Sequence, residues 1–375
     1  MDIHRNNLNN RIAQDNFSKE LVRWYRTHHR KLPWRETSDP YKIWVSEVML
    51  QQTTVPAVLS YYKKWLELFP DVQALARAPL PKILKTWEGL GYYQRARNLH
   101  RAAKIINEKH AGYVPQNYED LLALPGFGPY TAAAVLSIAY DKPYPVLDAN
   151  VRRVLMRLAG LKKGHNSQTD KRLLLYLATL IPKTSPGEFN QAVMEVGALI
   201  CRPKNPRCLL CPLQRFCLAY KKGEQEVIPA PKKRSYNKIE AVVGVIKNRG
   251  KYLLQKRPSP GLLADLWEFP GGKRKEGETL AAALRRELRE ELGAEVRGEK
   301  FLLKVRHAYT QFQVTLSAYE CRLQDKPRLK RDSQRWVSLR ALKQYPFPSG
   351  SAKIVRFLEE RDRRVSGHGL GLKKV

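Results

Sequence analysis

From about residue 16 to residue 220, apolar side chains recur every third or fourth position, as in FSKELVRWYRTHH, VLSYYKKWLELF and RLLLYLATLI. Breaks fall at Pro33, Pro70, Pro79, Pro81 and Pro182. That period predicts an all-helical region, because residues three and four apart share one helix face. Between Lys221 and Lys238 the pattern lapses. KKGEQEVIPAPKKRSYNK is charged, carries two prolines and has no apolar period, which predicts a linker. IEAVVGVIK, KYLLQKR and QFQVTLSAYECRL then read as strands around one strongly helical stretch, TLAAALRRELREEL. The second half is therefore expected to be α/β. The closing RDRRVSGHGLGLKKV mixes Arg, Lys and Gly without a period, as an unstructured basic tail would. The predicted organisation is multidomain: an all-α region over 1–220, a linker over 221–238, an α/β domain over 239–360 and a tail over 361–375.

Charge adds a partner to this outline. Lys plus Arg outnumber Asp plus Glu by 68 to 35, with 34 against 19 in 1–230 and 34 against 16 in 231–375. Both halves thus carry positive fields suited to a polyanion, and nucleic acid is the expected partner. An anionic membrane surface is the alternative, but the chain has no apolar run of roughly 18 residues and no lipidation motif. A hydrophobic content of 43% argues against disorder. The opening MDIHRNNLNN has no apolar signal segment, so a cytoplasmic, monomeric protein is expected.

Four of the five cysteines, Cys201, Cys208, Cys211 and Cys217, are spaced C-x6-C-x2-C-x5-C among Arg202, Lys204, Arg207 and Arg215. Four thiolates suit either a tetrahedral zinc or an iron–sulfur cluster. Two disulfides are the rival arrangement, disfavoured in a reducing compartment. Cys321 stands alone in LSAYECRL and reads as a buried strand residue.

LLALPGFGPYTAAAV joins two apolar helical segments through Pro125, Gly126, Phe127, Gly128 and Pro129. Two glycines permit a tight turn and expose backbone N–H groups where a phosphate can sit. Upstream, IWVSEVMLQQT places Glu47 among Val45, Val48, Met49 and Leu50; downstream, VLDANVRRVLMRL places Asp148 just before an arginine-bearing helix. Desolvation in such apolar company would raise the pKa of Glu47 and keep it protonated. Hairpin, aspartate and cysteine array, in this order, resemble the endonuclease III superfamily of helix-hairpin-helix base-excision glycosylases, over about residues 16–220. PWR (Pro33 to Arg35), SEVMLQQT (Ser46 to Thr53) and EGLGYY (Glu88 to Tyr93) are most similar to adenine glycosylases of MutY type.

The resemblance implies a set of roles. Glu47 would protonate adenine N7, Asp148 would face the developing sugar cation, and Asn150 would orient Asp148. Tyr130 stands where superfamily members that also cleave the backbone carry a lysine; a phenol forms no imine, so a monofunctional enzyme is expected, with Tyr130 hydrogen-bonded near Asp148 or the sugar. Arg30, Leu32, Trp34 and Gln191 would line the adenine pocket, with core packing an equal alternative for Leu32 and Trp34. Gln52 and Tyr92 would fill the gap left by the flipped base or hold the opposite base, and Gly126 and Gly128 would meet the DNA backbone. The cysteines would hold a [4Fe–4S] cluster rather than zinc.

WEFPGGKRKEGETLAAALRRELREELGA resembles a Nudix box, with Gly272, Glu278, Arg286, Glu287, Glu290, Glu291 and Gly293 in place and Ala294 where a larger aliphatic residue is usual. Glu287, Glu290 and Glu291 share one helical face, where carboxylates can hold Mg2+; a solvated helix with Arg285, Arg286 and Arg289 as ion-pair partners is the plainer alternative. By the same resemblance, this half reads 8-oxoguanine opposite the adenine, through Tyr309, Thr310 and Gln311 after His307. Hydrolysis of a nucleotide such as oxidised dGTP is the alternative. The expected substrate is double-stranded DNA with A opposite 8-oxoguanine or guanine.

Overall fold

An apolar period of 3.6 in the first half and of 2 in the second calls for two different cores, and the computed structural model contains both. It describes residues 7–162, 166–230, 236–261, 263–309 and 312–367. The chain folds as two compact units, one built from the chain up to Ala78 with Asn98–Lys233, the other from Pro79–Arg97 with the chain from Arg234 onward.

Five helices frame the first unit's main features: α1 (Asn7–His28), α2 (Pro40–Leu50), α3 (Pro129–Tyr140), α4 (Ala149–Leu158) and α5 (Pro186–Leu199). Phe17, Leu21 and Tyr25 recur every four residues along α1 and bury against Val151, Val154 and Leu155 of α4 and Phe189, Val193 and Val196 of α5. Side-chain caps fix where two of these helices begin. Asp39 accepts from the Tyr41 and Lys42 amides at the start of α2, and Asp148 from the Val151 amide at the start of α4. Ahead of α3, Gly126 takes φ +85°, and a β-carbon there would come within 2.6 Å of the Asn98 β-carbon.

The expected linker is packed over its first half. Ile228 is fully buried in the helical core, its carbonyl accepts from Arg157 Nε at 2.7 Å, and the Ala230 amide donates to the Lys162 carbonyl. The first strand begins at Asn237, inside the predicted linker. One apolar side chain in a charged stretch carries no period, which is why the contact is silent in the sequence.

The second unit holds a seven-stranded sheet: β1 (Asn237–Asn248), β2 (Lys251–Lys256), β3 (Trp267–Glu268), β4 (Gly271–Lys273), β5 (Val296–Tyr309), β6 (Phe312–Leu323) and β7 (Gln334–Ser338). The order is β3-β2-β1-β6-β5, with β4 on β1 and β7 on β2; β1 and β6 run parallel and the other pairs antiparallel. Val242 and Ile246 of β1 face α6 (Leu280–Leu292), whereas Val243 and Val245 face α7 (Ser349–Gly367). Burial on both faces explains why β1 reads as a continuous apolar run. Cys321 on β6 is buried, as its alternating surroundings predict. Helix α7 corrects the sequence reading of the C-terminus: it continues to Gly367, into the stretch taken as an aperiodic tail, after covering the sheet with Ile354, Val355 and Leu358. Residues 368–375 lie outside the described residues.

Pro79–Arg97 joins this unit through polar bonds. Lys85 Nζ donates to the Tyr345 carbonyl at 2.9 Å, Tyr93 Oη to the Phe347 carbonyl at 2.7 Å, and the Phe347 amide to Glu88 Oε2 at 3.0 Å. No helix among the described residues is long and apolar enough to cross a membrane.

The hairpin's two glycines differ in a measurable way. Gly128 has no positive φ and open space around its missing side chain. Gly126→Ala is expected to lower unfolding free energy by about 1–3 kcal/mol, and Gly128→Ala to leave it nearly unchanged, as read by urea denaturation of the full chain.

Candidate active site

The predicted chemistry converges on one cavity of the helical unit, of about 960 Å³. Its lining includes Glu47, Tyr130, Asp148 and Asn150, together with Arg30, Leu32, Trp34, Gln191, Gln52, Gly126 and Gly128. Glu47 sits on α2 at 4% exposure between buried Val45, Val48 and Met49. Burial pushes its carboxyl up to about 7; the Tyr130 hydrogen bond opposes that rise, and the Asp148 charge adds to it. Tyr130 Oη donates to Glu47 Oε2 at 2.6 Å. The tyrosine's partner is Glu47, because the first turn of α3 faces α2, and Asp148 is close enough to act on its phenol. Burial and the two carboxylates raise the Tyr130 phenol well above its ordinary range, so it stays a donor.

Asp148 is held differently. As N-cap of α4 it accepts from the Val151 amide at 2.6 Å and from Asn150 Nδ2 at 3.2 Å. Burial raises its pKa, and these two donors oppose the rise. A helix N-terminus also favours negative charge. The two carboxyls of the cavity therefore have unlike surroundings: one buried among apolar side chains, the other a cap held by N–H donors.

Leu32 and Trp34 are buried at the cavity wall, with the Trp34 ring edge-on to Tyr62. Gln191 Oε1 accepts from Tyr25 Oη at 3.1 Å, which orients its amide. Gln52 is exposed at φ +57°, a conformation uncommon for a residue with a side chain. Tyr92, at φ +48°, belongs to the second unit, where the Arg95 guanidinium lies 5.5 Å from its ring centre.

Glu195 is a site residue that motif reading missed. Arg30 reaches it with Nε at 2.9 Å and Nη2 at 2.6 Å, and Arg35 with Nη1 at 2.9 Å and Nη2 at 2.8 Å. Burial would lift this carboxyl, but the Arg30 and Arg35 bonds overcome it and hold it at about 2. Two guanidiniums on one carboxylate leave a net positive wall on the cavity. The signal was available: Glu195 stands among Val193, Met194 and Val196 much as Glu47 stands among its own apolar neighbours.

From Asp148 a chain of bonds leads to the cysteines. Asn150 Oδ1 accepts from Arg153 Nη2 at 3.0 Å, and Arg153 Nε donates to the Cys201 carbonyl at 2.7 Å. One turn on, buried Arg157 donates to Cys201 Sγ at 3.3 Å and to the Arg202 carbonyl at 2.7 Å. Cys201, Cys211 and Cys217 pack on the core formed by α1, α4 and α5. Burial raises the Cys208 thiol and pushes Cys211 up to about 12, and in both the neighbouring cysteines add to the rise. Among the described residues, no three His, Cys, Asp or Glu side chains are grouped so as to hold a metal ion.

The last observation applies equally to the Nudix-box glutamates. Arg286 pairs with Glu278 at 2.6 Å, Glu287 at 2.8 Å and Glu290 at 3.4 Å. Glu291 accepts from Gln255 Nε2 at 2.7 Å and the Gly271 amide at 2.8 Å. Arg285 pairs with Glu299 and Arg289 with Glu295. The ion pairs that the helix's charge pattern suggests are formed, and Glu287, Glu290 and Glu291 are each engaged by them or by Gln255 and Gly271. Gly272 serves packing here, since a β-carbon would fall 2.2 Å from a Glu287 carboxylate oxygen. Of the expected lesion readers, Thr310 and Gln311 lie outside the described residues; Tyr309 ends β5.

Residues 45–178 match the model of the HhH-GPD superfamily base excision DNA repair proteins, and residues 241–356 that of the NUDIX domain. The chain is 40% identical over 257 residues to the adenine DNA glycosylase of Buchnera aphidicola subsp. Schizaphis graminum, covering 68% of this chain and 74% of that protein. To the adenine DNA glycosylase of Rattus norvegicus it is 33% identical over 405 residues, covering 92% and 78%. Among solved structures, a thermostable thymine-DNA glycosylase aligns with a TM-score of 0.52 and 32% identity, over 57% of this chain and 99% of that one. With Glu47 and Asp148 in one cavity and relatives of this length and identity, the chain belongs to the adenine DNA glycosylase family, base-excision repair enzymes that break N-glycosyl bonds.

Proposed function

We propose that this enzyme removes adenine paired with 8-oxoguanine or guanine in double-stranded DNA, in the cytoplasm, by acid-assisted hydrolysis. The observation that carries the assignment of roles is the Glu47 carboxyl, buried, pushed up to about 7 and 2.6 Å from Tyr130 Oη. Protonated Glu47 gives its proton to N7 of the flipped base, which makes adenine a better leaving group. As the glycosidic bond stretches, the sugar gains positive charge, and the Asp148 carboxylate, kept in place by Asn150 and the Val151 amide, stabilises it. Leu32 and Trp34 supply apolar walls for the base, and Arg30 and Gln191 its polar edge. Gln52 fills the vacated space in the duplex, and Tyr92 supports the opposite strand. Tyr130 has no amine to trap the sugar, so the strand is left uncleaved. Gly128, open on its side-chain side at the start of α3, lets a backbone phosphate approach the free amides of that helix. Tyr309, Thr310 and Gln311 read the 8-oxoguanine.

Cys201, Cys208, Cys211 and Cys217 would hold a [4Fe–4S] cluster. The C-x6-C-x2-C-x5-C spacing after the Asp148 helix and the match to the helix-hairpin-helix repair superfamily support this reading. Bound there, the cluster would brace the basic loop against α4; hydrolysis itself needs no electron. Purified protein is expected to be brown, with iron and sulfide in equal amounts, and Cys208→Ser to lose iron and melt at lower temperature. A colourless protein with one zinc per chain would overturn the assignment.

In single-turnover assays on duplex bearing A opposite 8-oxoguanine, Glu47→Gln and Asp148→Asn are each expected to slow adenine release about a hundredfold or more. Asparagine also caps helices, so the second substitution should leave α4 intact. Unchanged rates would refute the roles given to both carboxyls.

Glu47 acts only while protonated, so the rate is expected to fall as pH rises through about 7. The Tyr130 hydrogen bond favours the ionised carboxylate, and its removal raises the pKa of Glu47 further. Tyr130→Phe should therefore move the alkaline limb to higher pH; a downward move counts against the Glu47–Tyr130 pairing.

A further inference from the structure

A second cavity, of about 510 Å³, opens in the C-terminal unit, lined by Lys238, Ile239 and Glu240 of β1, Lys273 and Arg274 at the end of β4, and Gln313 and Thr315 of β6. None of the Nudix-box glutamates lines it. The parallel register sets Lys238 beside Gln313 and Glu240 beside Thr315, while β4 flanks β1 with Lys273 opposite Ala241. Three strands thus bring their polar ends to one concave place.

Its charge is unbalanced. Glu240, the sole carboxylate among the described lining residues, is paired with Arg274 Nε at 2.7 Å, and Arg274 also donates to the Glu278 carbonyl. Lys238 and Lys273 are exposed and make no ion pair within 4.0 Å among the described residues. Among those residues, two ammonium groups, an amide and a hydroxyl surround the hollow with no unpaired acid and no aromatic ring. Ammonium groups with neutral donors in a hollow of this kind match a phosphoryl oxyanion.

We propose that this cavity seats a phosphoryl group, from the DNA backbone beside the lesion or from a free nucleotide. Gln313 stands two positions after Gln311, so the seat lies next in sequence to the proposed 8-oxoguanine readers. Only the assignment to the lesion's neighbourhood rests on that proposed reading; the seat itself rests on the cavity and its charge. Phosphate contacts position a protein on the duplex without reading sequence, so a phosphate held here would fix the C-terminal unit while the proposed readers inspect the base.

The test uses full-length Lys238→Ala, Lys273→Ala and the double variant, with Lys→Arg at both positions as rescue. Affinity is measured by fluorescence anisotropy across a salt series on two duplexes: undamaged DNA, and DNA with non-cleavable 2′-fluoroadenosine opposite 8-oxoguanine. Each alanine is expected to weaken both severalfold and to reduce the salt slope by about one. Arginine should restore the slope, and the single-turnover rate at saturating enzyme should not change, since neither lysine lines the adenine cavity. If wild-type protein shows no preference for the damaged duplex, the lesion-reading proposal fails while the slope still reports on the seat. Titration of wild-type and double-alanine protein with dGMP and with inorganic phosphate is the second arm. Binding by wild type that the double variant loses, with the DNA slope unchanged, assigns the seat to a free nucleotide. An unchanged slope with no phosphate or dGMP binding overturns the proposal, and each single variant, read beside its arginine counterpart, supplies the slope if the double variant misfolds.

Discussion

The helical unit depends on taking the Glu47 carboxyl out of water. Moving its pKa from 4.5 to about 7 corresponds to roughly 3 kcal/mol in favour of the protonated form. That bias comes from burial among Val45, Val48 and Met49 and outweighs the opposing hydrogen bond from Tyr130, which the first turn of α3 brings to the carboxyl. The hairpin before α3 must then turn sharply, which fixes Gly126 at positive φ against Asn98. One buried acid therefore constrains the placement of two helices and the conformation of the turn joining one of them to the rest.

Asp148 follows a different rule, and the difference gives the cavity its function. A carboxylate used as an N-cap is stabilised as an anion by the same amide that starts the helix, so folding of α4 and readiness of the anion are one event. The helix then extends the consequence outward: Arg153 ties Asn150 to the Cys201 carbonyl, and Arg157, one turn on, donates to the Cys201 sulfur. The geometry of the cysteine loop and that of the Asp148 carboxyl share a single helix as their support.

Local chemistry was legible in the sequence and tertiary polar contacts were not. Glu47 among apolar neighbours, Asp148 before a helix, the Gly126–Gly128 hairpin and the two-face apolar run of β1 each carry a signature within a few residues. The partner of Tyr130, the double arginine grip on Glu195, the seating of Ile228 and the bonds of Lys85, Glu88 and Tyr93 to Tyr345 and Phe347 do not, because they join positions far apart in sequence through groups with no periodicity. Helix α7 was legible in part: Ile354, Val355 and Leu358 have helical spacing, but the run of Arg, Asp and Gly after them hides how far the helix continues.

Glu47 and Glu291 show why burial alone does not define an acid catalyst. Burial pushes both up to about 7, and both sit on helices with polar partners at hydrogen-bond distance. For Glu291, Gln255 binds one oxygen and the Gly271 amide the other, so the carboxyl is consumed in joining α6 to β2 and β4. Glu47 has one oxygen held by Tyr130 and lines a cavity of about 960 Å³ large enough for a purine. A perturbed pKa becomes chemistry only where an oxygen still faces space that a substrate can enter. By that criterion Glu47, in the helical unit, meets both conditions, whereas Glu291 has both oxygens bonded to the sheet.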